Sequence, residues 1–181
     1  MKRAFDVSAS AVLLLFGWPI LLIVIIAIRL QSQGPAIFRQ VRVGKNGRPF
    51  TCYKLRTMYS GTANLPTHEV QASSVTPIGE HLRRFKVDEL PQLCNVLIGD
   101  MSLVGPRPCL PSQTALVEAR RLLGVFEVRP GITGLAQVNG CRGETARIEE
   151  MQARVNYDLE YLRHWSPILD FKILFLTVFR L

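Results

Sequence analysis

The chain has 181 residues, 48% of them apolar, and carries 22 Lys and Arg against 14 Asp and Glu, for a net charge of +8. That length supports one domain with a substantial core rather than two. The four cysteines, Cys52, Cys94, Cys109 and Cys141, contain no C-x-x-C pair, which argues against zinc and against a small disulfide-stapled scaffold and points to reduced thiols in the cytoplasm. The positive surplus is local, since residues 29–68 hold seven Lys or Arg and no acid. A one-signed stretch of this kind attracts nucleic acid, anionic lipid or a phosphorylated substrate, and charge alone does not choose among them.

Residues 7–28, "VSASAVLLLFGWPILLIVIIAI", contain no charge. As a straight helix rising about 1.5 Å per residue, they would just cross a hydrocarbon core of roughly 30 Å. A cleaved signal peptide fits poorly, because the run is long for an h-region and no small-x-small site precedes Arg29. Pro19 removes a backbone donor and crowds the carbonyl four residues back, which predicts a bend after Gly17 and Trp18. Each arm is then too short to cross alone. Basic residues flank both ends, Lys2 and Arg3 on one side and Arg29, Arg39 and Arg42 on the other. A helix that enters the membrane, breaks at Pro19 and returns satisfies the length and keeps both basic flanks on one face. A Pro-kinked span is the alternative.

The stretch "AIFRQVRVGKNGRPFTCYKL" reads as a β-hairpin that turns at Asn46 and Gly47, both tolerant of positive φ, with Pro49 opening the return strand. Its arms carry most of the positive cluster, including Lys54 and Arg56. Residues 59–75 have turn-rich composition and read as a loop; His68 there, like His81 and His164, has no companion at ligand spacing. A short helix is expected over 80–85 with Arg83 and Arg84 on it. A second should start with Asp88 as N-cap, tolerate Pro91 in its first turn, present Leu90, Leu93 and Leu97 on one face and stop at Gly99.

Asp88 and Glu89 in "KVDELPQL" are therefore ordinary helix-start acids when taken alone. Their surroundings give a second reading. Arg83 and Arg84 precede them, and Arg107 follows with its backbone held between Pro106 and Pro108, which suits a guanidinium aimed at phosphate. A carboxylate beside phosphates needs a cation between them, and Mg²⁺ bridging Asp88 and a diphosphate would remove the repulsion. Further along, "TALVEARRLL" predicts a short amphipathic helix ended by Gly124. Ile148, Met151, Val155, Leu159 and Leu162 predict a helix over 144–164, its apolar face packed in the core. The closing "ILDFKILFLTVFRL" is too short to span and suits either the head-group region, with Trp165 before it, or closure of the core.

Four segments in order, "GPAIFRQVRVGKNGRPFTCYKLRTM", "VDELPQLCNVLIGDMSLVGPRP", "RPGITGLAQVNG" and "YDLEYLRHWSPILDFKILFLTV", resemble the bacterial sugar transferases, the small monotopic polyprenyl-phosphate phosphoglycosyl transferases. The resemblance covers nearly the whole chain. It implies an α+β, mainly helical fold: a re-entrant membrane helix over 1–30, then a catalytic domain over 31–181 on the cytoplasmic face of the bacterial inner membrane. It also implies transfer of a sugar-1-phosphate from a UDP-sugar to a polyprenyl phosphate such as undecaprenyl phosphate. UMP would be released through a covalent phosphosugar-aspartyl intermediate, as the first membrane step of glycoconjugate assembly. Membrane lipids are implied partners, nucleic acid is not, and a homodimer is allowed. The Asp-Glu dyad falls on Asp88 and Glu89, with Asp88 as nucleophile and Mg²⁺ ligand. Lys54, Arg56, Arg83, Arg107 and Gln137 become candidates for substrate contacts, although Arg and Lys also pair readily with acids such as Asp100 or Asp158. The sequence departs from the family pattern at Cys141, where the family often has Arg; here Arg142 comes one place later. Two other classes stay open at this level. A membrane-anchored basic binding module would use the charge without catalysis, and a nucleotide-sugar pyrophosphate hydrolase would use water as acceptor.

Overall fold

The computed structural model describes residues 1–61, 74–141 and 147–179. His68, Arg142 and most of the expected 59–75 loop lie outside the described residues. Helix α1 runs over Lys2–Gln31, and Pro19 lies inside it. The expected break therefore does not divide the helix into two elements: proline costs one hydrogen bond and some crowding, which a long apolar helix can absorb. One stripe of α1 touches the rest of the protein. Asp6, Ser10 and Ile28 are buried and Leu14, Gly17, Leu21 and Val24 half-buried between them, at helical spacing. The opposite side is bare and apolar, with Leu15, Phe16, Trp18, Ile20 and Ile23 exposed. It is the one helix among the described residues long and apolar enough to cross a membrane, and only 6% of its apolar window is buried, unlike a core helix.

The hairpin forms as expected. Strands β1 (Ile37–Val43) and β2 (Pro49–Leu55) pair antiparallel, from Ile37 opposite Leu55 to Val43 opposite Pro49. Asn46 and Gly47 take the positive φ values that the turn demands, 57° and 71°. Helix α2 covers Pro77–Arg84, capped by the Thr76 hydroxyl, which accepts from the Gly79 amide.

The Asp88 cap does not form. Lys86 adopts a left-handed conformation (φ 54°), Val87–Glu89 make a separate tight turn, and α3 (Gln92–Ile98) begins only after Pro91. Pro91 cannot donate a backbone bond, so it sits at the helix entrance and displaces the acids from it. Gly99 ends α3 with φ 109°, as the sequence suggested.

A second sheet has no precedent in the hydrophobic pattern. The short strands β3 (Ser102–Val104) and β4 (Gly131–Thr133) lie parallel, Ser102 against Gly131 and Val104 against Thr133. They bring "GPRP" beside "RPGITG". A Cβ on Gly131 would collide with the Gly105 amide, so glycine at both positions permits the contact. Helices α4 (Thr114–Leu122), α5 (Leu135–Val138), α6 (Ile148–Arg163) and α7 (Pro167–Phe179) complete the fold. The largest core cluster joins Cys52, Leu93, Val96, Met101, Val104, Val138, Tyr161 and Ile173, while α4 packs in a separate cluster through Leu116 with Val43, Cys109 and Val155. The four cysteines are unpaired thiols.

Candidate active site

Strands β1 and β2, the Val87–Glu89 turn and the segment after β3 wall a cavity of about 1150 Å³. The hairpin register explains the polar wall. Gln40 and Arg42 share a face, and Lys54 lies on that same face opposite Phe38. Gln40 is 6% exposed while its neighbour Val41 is 51% exposed, so Gln40 and Arg42 of β1 point inward, whereas Arg39 is exposed. An alternating pattern normally places the apolar residues inside; here the order is reversed at Gln40, Val41 and Arg42, which border a charged site, while Val43 still packs in the core.

Glu89 is clamped. Its Oε1 accepts from Lys54 Nζ at 2.8 Å and from Arg107 Nη2 at 2.8 Å, and its side chain is only 11% exposed. Burial by itself would raise this carboxyl, but Arg107 and Lys54, through charge and hydrogen bonds, outweigh it and hold Glu89 far below the usual carboxylate range. In return the Glu89 charge raises Arg107. Asp88 behaves differently. It takes no hydrogen bond or ion pair among the described residues, and burial pushes its carboxyl up, with Glu89 adding to the effect against Lys54, Arg83 and Arg107. Of two adjacent acids, one is neutralised by cations and the other is open to the cavity.

The remaining candidates separate by partner. Arg83 donates Nε to the Thr57 hydroxyl at 2.8 Å and faces Asp88 electrostatically. Gln137, on α5, lines the cavity, with its amide nitrogen donating to the Ile132 carbonyl at 3.0 Å. Arg56 lines the cavity too, but its guanidinium donates to the carbonyls of Gln33 at 2.8 Å, Ser32 at 2.7 Å and Ile28 at 3.3 Å. It holds the C-terminal end of α1, the position where a cation complements exposed helix carbonyls. Asp158, proposed as a carboxylate partner for these cations, instead pairs with Arg120 at 2.6 Å.

Arg42 was legible only as part of the basic cluster, yet it lies in the cavity wall beside Arg107. Burial, reinforced by the Arg107 charge, pulls it down to about 10. The signal for it was the pair of polar residues two apart in "QVR", which a period-2 reading could have assigned to one inward face.

Apolar residues, Ile25 from α1 with Pro35, Ile37 and Phe38, line the cavity beside the charged ones, and Arg29 and Arg39 line it too. Among the described residues no cluster of three or more His, Cys, Asp or Glu could form an all-protein metal cage. A Mg²⁺ held partly by substrate phosphates needs fewer, one or two carboxylates, and the open Asp88 fits that demand.

The family profile described as bacterial sugar transferase matches residues 1–181. The chain is 48% identical over 187 residues to an undecaprenyl-phosphate glucose phosphotransferase of Komagataeibacter xylinus, covering 99% of this chain and 35% of that protein. It is 45% identical to UDP-glucose:undecaprenyl-phosphate glucose-1-phosphate transferases of Escherichia coli (strain K12) and Caulobacter vibrioides. Those matches cover 99% and 98% of this chain, and 40% and 68% of the two proteins. The chain thus spans well under half the length of two of these three relatives. With the dyad motif, the "GPRP" segment and the apolar N-terminal helix all inside the matched region, the chain belongs to the bacterial sugar transferase family.

Proposed function

We propose that this protein transfers a sugar-1-phosphate from a UDP-sugar to undecaprenyl phosphate and releases UMP. The observation that carries the reading is the unequal dyad, with Glu89 clamped by Lys54 and Arg107 and Asp88 left open in a cavity lined by cations and by apolar residues. An Asp88 oxygen attacks the phosphorus next to the sugar, and the bond from that phosphorus to the oxygen shared with the uridine phosphate breaks. UMP leaves and a phosphosugar-aspartyl ester remains. A phosphate oxygen of undecaprenyl phosphate then attacks the same phosphorus and frees the Asp88 carboxylate. Covalent catalysis of this kind splits a transfer between two anions into two easier steps. Arg107 and Lys54 supply fixed positive charge beside the reacting phosphoryl group, and Glu89 keeps both cations in place. Arg83 and Gln137 are further substrate contacts from the cavity wall. Mg²⁺, when bound through Asp88 and the donor diphosphate, would neutralise charge on the transferring group.

The membrane arrangement belongs to the same proposal. Both ends of α1 are fastened to one globular body. Lys2 pairs with Asp170 at 2.6 Å and Asp6 accepts from Ser102 Oγ at 2.7 Å, while Arg56 grips the carbonyls at the other end. That favours a helix that bends at Pro19 and dips into one leaflet, with residues 1–30 as anchor and 31–181 as catalytic domain on the cytoplasmic face of the inner membrane. The apolar lining residues Ile25, Ile37 and Phe38 would receive the prenyl chain, so the donor from water and the acceptor from lipid meet at Asp88.

The test is UMP release from a panel of UDP-sugars by detergent-solubilised protein with Mg²⁺, with and without undecaprenyl phosphate. The expected result is lipid-dependent turnover that falls by about 10³-fold or more in Asp88→Asn. Trapping of labelled sugar phosphate on the wild-type protein, without lipid, would accompany it. UMP formed equally without lipid would instead mean hydrolysis, and salt-sensitive lipid binding without turnover would mean a binding module.

A further inference from the structure

Arg107 stands between two prolines, neither of which has a backbone N–H to donate. Hydrogen bonds can therefore hold this backbone mainly through its carbonyls, and four consecutive ones are taken. Gly131 N donates to Pro106 O at 2.9 Å and Val43 N to Cys109 O at 3.0 Å. Between them, Arg120 Nη1 donates to Arg107 O at 2.7 Å and Arg42 Nη1 to Pro108 O at 3.1 Å. The outer pair are ordinary backbone contacts. The inner pair come from two arginine side chains reaching in from opposite elements, α4 and β1.

Both arginines are themselves fixed. Arg120 is 1% exposed and donates Nε and Nη2 to Asp158 Oδ2 at 3.0 and 2.6 Å, so the α6 carboxylate orients the guanidinium that holds Arg107 O. Arg42 donates Nε to the Gln40 side-chain oxygen at 3.0 Å. A fully buried ion pair is expensive to desolvate and is a poor source of net stability compared with apolar residues of similar volume. The Arg120 fork, however, leaves a third donor on the backbone that carries Arg107. A planar guanidinium with fixed donor directions suits that task better than a lysine would.

We propose that Arg120, steered by Asp158, and Arg42 are positioning residues: they clamp the Pro106, Arg107 and Pro108 backbone and so aim the Arg107 side chain at Glu89 and the transferring phosphate. The inference rests on the transferase reading for its kinetic consequence but not for its structural one. Arg107 reaches Glu89 from a backbone that is rigid on both sides, and loosening it by about an ångström would cost phosphoryl transfer on the order of 10²-fold.

Two variants test it. Arg120→Met with Asp158→Leu replaces the ion pair by apolar groups of similar size, an exchange that other buried pairs tolerate or even gain from in stability. Arg42→Gln removes the second clamp without touching that pair, and Arg42→Lys, which can still donate to Pro108 O, should recover part of its loss. Either disrupting variant should lower kcat about 10- to 100-fold with a smaller change in KM. The same change made on top of Arg107→Ala should lower kcat less than about 2-fold, because the aimed group is already gone. Hydrogen exchange of the amides in residues 104–110 should speed up in both variants, and this readout needs no turnover. Equal losses in the wild-type and Arg107→Ala backgrounds, or unchanged exchange and kcat in folded protein, would overturn the proposal. If the double variant does not fold, Arg42→Gln decides by the same criteria. Failure of wild-type protein to turn over any UDP-sugar would count against the transferase reading alone, leaving the exchange result to judge the clamp.

Discussion

At Asp88, burial raises the carboxyl above its ordinary 3.8 because no hydrogen bond or ion pair compensates the lost water. The folded state therefore holds that proton more tightly than the unfolded chain. Stability is lost as pH rises from the ordinary value through the folded one. Asp88→Asn should thus raise the melting temperature at pH 7 while abolishing transfer, and the gain should shrink as the pH is lowered. Glu89 has the opposite sign: lowered from 4.5 by Arg107 and Lys54 against burial, it contributes stability that is present above that ordinary value and lost only as pH falls through its folded one. Glu89→Gln leaves two half-buried cations without their shared charged partner and should destabilise by about 1–3 kcal/mol at pH 7. Thermal unfolding of both variants in one detergent checks the pair; a stabilised Glu89→Gln or a strongly destabilised Asp88→Asn would reverse the assignment of clamped and open acid.

At the scale of elements, α1 is held by polar tethers at its ends rather than by an extensive apolar core. Near its start, Asp6 accepts from the Ser102 hydroxyl at 2.7 Å and the Leu103 amide at 3.3 Å, and Arg3 donates to Leu97 O at 3.2 Å at the end of α3. At its far end Arg56 takes the last carbonyls, while Ile28 packs with Ala36, Leu55 and Leu82. Asp6→Ala removes two charge-assisted bonds and takes the acceptor from the buried Leu103 amide, which should cost about 1.5–3 kcal/mol, while the Ser102 hydroxyl keeps the Val104 carbonyl at 3.0 Å. The cost should appear as local opening: faster hydrogen exchange at the start of α1 and in β3, with little change in the hairpin. Uniform destabilisation across all elements would mean that α1 folds as one unit with the body. The hairpin makes a related point, because β1 turns Gln40 and Arg42 inward and leaves Val41 half-exposed, a reversal that serves the cavity.

At the scale of the whole molecule, the exposed large apolar residues concentrate on α1 and α7. The outer side of α1 meets α7 where Phe5 and Phe171 stack edge-to-face at 5.1 Å, and Ile168, Phe175, Val178 and Phe179 extend the exposed apolar patch. Asp170, on the other side of α7, is buried and accepts from Lys2, Tyr161 and Trp165, which fixes that helix to the start of α1. An apolar patch of this extent marks a surface that water does not cover in the working protein. Cysteines placed at Lys2 and at Gln33 should therefore both react with an impermeant thiol reagent from the same side of sealed vesicles. Reaction from opposite sides would establish a span and remove the proposed dip. Phe171→Asp and Phe175→Asp together should weaken vesicle association without altering the melting temperature in detergent.

The sequence alone determined the apolar N-terminal helix, the hairpin with its Asn46 and Gly47 turn, the stop at Gly99 and the family, because these depend on local composition, turn chemistry and ordered motifs. It also placed Asp88, Glu89 and Arg107 near one another as candidates. It could not decide which acid is clamped, since that depends on Lys54 arriving from a strand 35 residues away and Arg107 from beyond α3. The same holds for the parallel pairing of β3 with β4 and for the arginines on Arg107 O and Pro108 O: contacts between distant segments leave no periodic signature. Arg56 shows the limit most clearly. Its charge and place in the chain suited a phosphate, and only the tertiary structure, by bringing the end of α1 within hydrogen-bond reach, gave that guanidinium its partners.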